Sequence, residues 1–194
     1  MALTESNMLP LGTFAPDFKL VDVVSNTEKS LNELKGEQGT LIVFMCNHCP
    51  YVVHLIDALV ALAERNLAIG INTIAISSND IENYPEDRPE KMKALAIEKD
   101  FSFPYLYDEE QTIAKAYDAA CTPDFYLLDN ENTLVYRGRF DGSRPGNSIA
   151  ITGEDLQHAI DLLVKNNPIP ENQIPSMGCN IKWKAGNEPA GFSI

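Results

Sequence analysis

Cys46 and Cys49 stand three residues apart, enclose Asn47 and His48, and are followed at once by Pro50. An apolar, β-branched run, Leu41-Ile-Val-Phe-Met45, precedes them, and an amphipathic helical pattern from Tyr51 to Glu64 follows. The spacing therefore predicts a strand that delivers both thiols to the start of a helix. Unsatisfied backbone N–H groups and the positive end of the helix dipole stabilise a thiolate there. A helix start and a nearby imidazole each depress a thiol pKa, into a range of roughly 3.5–7.5 in such motifs. Dithiol–disulfide chemistry is the expectation. A zinc site would need a second close pair of ligands, whereas Cys121 and Cys179 stand alone and 58 positions apart. A purely structural Cys46–Cys49 bridge would close too short a loop to constrain the unfolded chain much.

The elements that must hold this motif can be read from periodicity. Phe14 to Val24 reads as an edge strand or short hairpin, and Leu31 to Leu34 as a helical turn before the breakers Gly36 and Gly39. After strand 40–45, Val52, Ile56, Leu59, Val60 and Ala63 form a core-facing stripe on the helix. Ile71 to Ser77 alternates as a strand. Asp87 is expected to cap a helix that carries Pro89 in its first turn and runs to about Lys99. A short strand (103–107), a short helix (109–118), a strand pair (122–129 and 133–140) and a last helix (153–164) complete the pattern. Such alternation implies an α/β fold, a central mixed β-sheet with helices on both faces.

One domain fits 194 residues. We divide the chain into an N-terminal lead-in (1–11), the domain proper (12–166) and a proline-rich C-terminal extension (167–194). In the extension Cys179, Ile181 and Trp183 alternate with Asn180, Lys182 and Lys184, so it is expected to dock as a strand. With 44% hydrophobic and 22% charged residues, the chain reads as soluble and globular. A net charge of −13 with no basic run argues against nucleic acid and anionic membranes as partners. The start, Met1-Ala-Leu-Thr-Glu-Ser, shows no signal-peptide pattern, and the most apolar helix is too short to span a bilayer. A cytoplasmic location is expected, where thiols rest mostly reduced and disulfides are transient and catalytic.

Taken together, Ala15-Pro16-Asp17-Phe18, the strand-Cys46-x-x-Cys49-helix unit and Thr122-Pro123 opening a strand that ends Leu128-Asp129 resemble the thioredoxin-like superfamily. The closest branch is the redoxins, which hold the peroxiredoxins of AhpC/TSA type and peroxiredoxin-like thiol oxidoreductases with a C-x-x-C. The resemblance covers about residues 12–166 and implies a thioredoxin-like fold. It also implies that Pro123 is cis and lies against the dithiol, beside a strand-like edge that would take a substrate peptide. Asn47, Pro50, Thr122 and Pro123 are then the expected substrate-binding residues. Cys46, Cys49 and His48 are the expected catalytic ones.

The chain departs from the peroxiredoxin pattern P-x-x-x-T-x-x-C. Cys49 takes the peroxidatic position, but the Thr position is Cys46 and the Pro position is Ile42. The arginine expected near the later strand is missing, so the donors that would polarise a peroxide O–O bond are absent. The buried carboxylate typical of thioredoxins is missing too, since that position is Thr40. His48 is the replacement the sequence offers for proton handling.

The leading reading is a thiol–disulfide oxidoreductase in which Cys46, facing solvent, attacks a disulfide and Cys49 resolves the mixed disulfide. A peroxidase with attack from the Cys49 position is the alternative, and a metal-binding or copper-carrier module the third. No cofactor is expected beyond the redox-active Cys46–Cys49 disulfide, and no metal. Partners would be a protein disulfide, a small thiol or a peroxide, together with a reductant. Asp124 and Asn79 are accessory positions expected near the dithiol. Cys121 is expected to be buried and to serve packing, and Cys179 is assigned a structural role by default.

Overall fold

A computed structural model describes residues 3–189. The first half runs β1 (Leu3–Glu5), β2 (Lys19–Asp22), β3 (Thr27–Ser30), α1 (Leu31–Leu34), β4 (Gly39–Phe44), α2 (Pro50–Leu67) and β5 (Ile71–Ser77). A 3₁₀ turn (Pro85–Asp87) leads into α3 (Pro89–Glu98), β6 (Tyr105–Tyr107) and α4 (Thr112–Ala116). Then follow β7 (Cys121–Thr122), β8 (Asp124–Asp129), β9 (Leu134–Tyr136), α5 (Glu154–Val164) and β10 (Met177–Asn180).

Seven strands form a mixed sheet in the order β3-β2-β6-β5-β4-β8-β9. β4, β5 and β6 run parallel, and β8 returns antiparallel beside β4. Every residue of β4 is buried, as a central strand with helices on both faces must be. The two-residue period sorts its side chains: Leu41 and Val43 enter one core with α2, α3 and α5, while Ile42 and Phe44 enter the other with α1 and the end of α4. Ile42, at the position where peroxiredoxins carry proline, is thus a fully buried core residue.

α2 packs the stripe that its sequence predicts, with two differences. Leu55 and Leu62 are buried and widen the apolar face, while Val60 is only partly covered. Two strand readings also change. The expected strand 122–129 is divided at Pro123, which has no N–H to donate, so β7 and β8 belong to different sheets. The expected strand 133–140 ends at Tyr136, because Gly138 lies so close under the Tyr136 ring that the chain turns away.

The second sheet has three strands, β1-β10-β7. Residues 3–5 of the lead-in therefore pair with the C-terminal extension, with Leu3 opposite Cys179 and Glu5 opposite Met177. β10 in turn pairs antiparallel with β7, Cys179 opposite Thr122 and Asn180 opposite Cys121. Segments 3–5 and 177–180 thus come together beside β7, which leads into Pro123 and β8. Among the described residues, no helix is long and apolar enough to cross a membrane.

Candidate active site

β4 ends at Phe44, and two residues later the chain reaches Cys46. Cys49 is the N-cap of α2 and Pro50 its first residue, where a missing N–H costs the helix nothing. Both thiols therefore precede the helix, and so does His48, which the sequence places on its first turn. The turn is held from outside. The Asn47 backbone N–H donates to Asp87 Oδ1 at 2.8 Å, its side-chain amide donates to the Glu86 carbonyl at 2.8 Å, and the Tyr105 hydroxyl donates to Asn47 Oδ1 at 3.1 Å. Asn47 thus fixes the shape of the loop, where the sequence suggested substrate binding.

None of the four cysteines is disulfide-bonded, and all are buried. Cys46 is 1% and Cys49 0% exposed, which overturns the expectation of a solvent-facing first cysteine. The burial comes from the partners each sulfur has. Cys49 Sγ lies 3.0 Å from the Thr122 carbonyl, to which its S–H donates, and Cys46 Sγ lies 3.5 Å from Thr122 Oγ1. Cys46, Cys49 and Cys179 share one buried cluster, and each thiol lies close enough to the next to shift its ionisation. Thr122 and the cis Pro123 lie against the dithiol in this way, but the adjoining edge is filled by β10. A pocket of about 30 Å³ bordered by Tyr51, His54, Pro123 and Met177 leaves room for roughly a water or two.

Of the two thiols, Cys49 is the one whose ionisation is favoured, against the sequence expectation. The hydrogen bond from Cys46, and further ones from Thr122, Cys179 and the Val52 N–H, bring it down to about 4, overcoming burial. Cys46 moves the other way. Its hydrogen bond to Cys49, its burial and the Asp87 carboxylate all hold it well above the ordinary thiol value. The Thr122 carbonyl favours a protonated Cys49, so this contact must loosen when Cys49 ionises. The direction follows from position: Cys49 sits on the helix start, and Cys46 faces a carboxylate.

Asp87 is the residue that sequence reasoning misplaced. It was read as the cap of α3, whose N-cap is instead Arg88, without a side-chain bond. Asp87 is fully buried and points to the dithiol turn, drawn by donors that have no other acceptor. Besides Asn47, it accepts from Asn79 Nδ2 at 2.8 Å and lies 2.7 Å from His48 Nδ1. With the imidazole protonated this contact is an ion pair to a buried carboxylate. It raises the His48 pKa above the usual 6.5, against burial. Tyr84 stacks on the imidazole with ring centroids 5.5 Å apart. The only sequence signal for this role was an acidic residue between two prolines, Pro85 and Pro89.

Single ligand atoms of Cys46, His48 and Asp87 lie within 4.8 Å of one another, so these three side chains could hold a metal. The same proximity puts His48 and Asp87 where they can influence the ionisation of Cys46. Asn79 reaches the site through Asp87 and not directly. Asp124 is buried beneath it, accepting from Ser6 at 2.6 Å and paired with the buried Arg137 at 3.5 Å. Cys121 donates to the Pro123 carbonyl at 3.6 Å, and burial pushes its thiol well up. Of the other histidines, His54 meets Ser143 Oγ at 3.2 Å and His158 is exposed. Cys179, given a structural role by default, is the cysteine that the structure brings to Cys49.

Residues 11–137 match the model of the AhpC/TSA family. An uncharacterized conserved protein from Geobacillus kaustophilus is 52% identical, covering 95% of this chain and 97% of that one, with a TM-score of 0.93. A hypothetical protein from Sinorhizobium meliloti 1021 is 45% identical, covering 94% of this chain and 100% of that one, at 0.92. The thioredoxin domain of a thiol-disulfide oxidoreductase from Bacteroides vulgatus is 17% identical, covering 78% of this chain and 99% of that one, at 0.60. At that identity the likeness speaks to the fold alone, and the fold is thioredoxin-like. A comparison with curated proteins finds no match.

Proposed function

This chain belongs to the AhpC/TSA family, and we propose that it works as a thiol–disulfide oxidoreductase through the Cys46–Cys49 dithiol. The observation that carries the reading is the pair of buried sulfurs at the start of α2, both held against Thr122 beside the cis Pro123. Two thiols so placed close into a disulfide with little motion of the backbone.

Cys49 is the nucleophile in this mechanism and Cys46 the resolving thiol. Cys49 thiolate attacks one sulfur of a substrate disulfide, and the other leaves as a thiolate that takes a proton. Once Cys49 is held in the mixed disulfide its charge is gone, and with it the hydrogen bond that opposed ionisation of Cys46. Cys46 then gives its proton to neutral His48, whose imidazolium the Asp87 carboxylate stabilises, and attacks Cys49 Sγ, which expels the second substrate thiolate. The products are two substrate thiols and the Cys46–Cys49 disulfide, which serves as the redox centre without a further cofactor. An external thiol reductant restores the dithiol.

A peroxidase reading has one observation in its favour: the anionic sulfur lies at the position that attacks peroxide in this family. Against it, no arginine among the described residues hydrogen-bonds either sulfur; Arg137 donates to the Asp118 carbonyl and to Asp124 instead. Mild oxidation followed by non-reducing peptide mapping tests the dithiol. The expected product links Cys46 to Cys49, or Cys49 to another cysteine that it touches. Oxidation of Cys49 to sulfinic acid with no disulfide formed would contradict the proposal.

A further inference from the structure

β10 occupies the backbone edge next to Pro123, and its seat is built to close tolerance. A Cβ at Gly178 would overlap the Thr122 carbonyl, so glycine alone lets the strand come this near. On one side of Cys179, Ser176 Oγ donates to the Pro123 carbonyl at 2.7 Å. On the other, the Lys182 N–H donates to Asn79 Oδ1 at 2.8 Å, and the Asn79 amide donates to Asp87. Between these pins Cys179 is buried in the same cluster as Cys49 and stands opposite Thr122, whose carbonyl lies 3.0 Å from Cys49 Sγ. A packing role would be met by any small side chain; a further thiol beside Cys49 is not something packing requires.

We propose that Cys179 is a third redox thiol of this site, and that the Cys46–Cys49 disulfide exchanges with a Cys49–Cys179 disulfide. The inference rests on the dithiol reading given above. β10 then stands in the place of a substrate peptide, with its own cysteine presented to the nucleophile.

The step conserves electrons. After an external disulfide has oxidised the dithiol, Cys179 as thiolate attacks Cys49 Sγ. The Cys49–Cys179 bond forms, the Cys46–Cys49 bond breaks, and the electron pair leaves on Cys46 Sγ. Cys179 gives up one proton and Cys46 takes one, with no oxidant or reductant consumed. In the reduced protein, burial first and the adjoining Cys49 sulfur second push the Cys179 thiol up to about 12. The second cause falls away when Cys49 enters a disulfide.

The test uses the full-length Cys46→Ser variant, oxidised with glutathione disulfide and mapped without reduction. Glutathione disulfide forms a mixed disulfide on Cys49, and Cys179 expels the glutathione thiolate, so a Cys49–Cys179 linkage should dominate. Adding Cys179→Ser should raise the glutathione adduct on Cys49 about tenfold, since a docked thiol competes at an effective concentration of millimolar or more. Circular dichroism of each variant controls for folding. Cys49 carrying glutathione while Cys179 stays a thiol in folded Cys46→Ser would overturn the inference and leave the dithiol reading intact. A Cys49 that takes no glutathione in either variant would overturn both.

Discussion

His48 and Asp87 carry the pH dependence that separates this site from a plain pair of thiols. The carboxylate raises the folded-state pKa of His48 above its ordinary 6.5, so the pair's contribution to stability is complete below that value. It is lost as pH rises through the folded-state pKa. His48→Ala should therefore flatten the decline in urea midpoint across that window, and an unchanged slope would show that the ion pair does not matter. Cys49 sets the second dependence. With its thiol brought down to about 4, iodoacetamide should label it at a rate nearly independent of pH over roughly 6 to 8, where an ordinary thiol gains about tenfold per unit. Label found mainly on Cys46, rising steadily with pH, would reverse the assignment of nucleophile. The chain has no carboxylate at the Thr40 position, where Thr40 Oγ1 accepts from the Gly36 N–H; the buried carboxylate near the dithiol, Asp87, arrives from another loop.

At the scale of elements, β10 and α2 do different work. Gly178→Val forces β10 away from the Thr122 carbonyl, and overpacking of this kind costs about 1–3 kcal/mol. The strand should then open more often, with Cys49 alkylation at least about tenfold faster and little change in global stability. An unchanged rate would mean that β10 does not limit access. Leu59, fully buried in α2 against the sheet, belongs to the main core, so Leu59→Ala should cost about 2–5 kcal/mol by urea denaturation. Much of this was legible from sequence. α1 and β5 occupy the ranges read for them, and β4 and α2 lie within two or three residues of theirs, because each carries an uninterrupted period and a local breaker or cap. The parts that escaped depend on contacts between distant segments. Asp87 looks like a helix cap because its true donors, Asn47 and Asn79, lie in other loops. Cys179 looks structural because only the pairing of β10 with β7 places it beside Cys49. Cys46 was expected in solvent because nothing local announces a strand laid across the turn.

On the scale of the whole molecule, the region that matches the family model ends at residue 137, yet the site is completed from beyond it. Leu3–Glu5 pair with the strand Met177–Asn180, which lies beside the dithiol through β7, and Lys182 ties the C-terminal extension to Asn79. A large α/β core supplies the strand–helix junction, and the extension lays β10 beside it. The most direct test of the account is a side-by-side assay on one preparation, with dithiothreitol as reductant, of protein-disulfide reduction and hydroperoxide consumption. The account predicts that disulfide reduction is the faster reaction, that Cys49→Ser abolishes it, and that Cys46→Ser lowers it to the turnover Cys179 alone can support. Rapid hydroperoxide consumption that survives Cys46→Ser, with disulfide reduction at background, would contradict it.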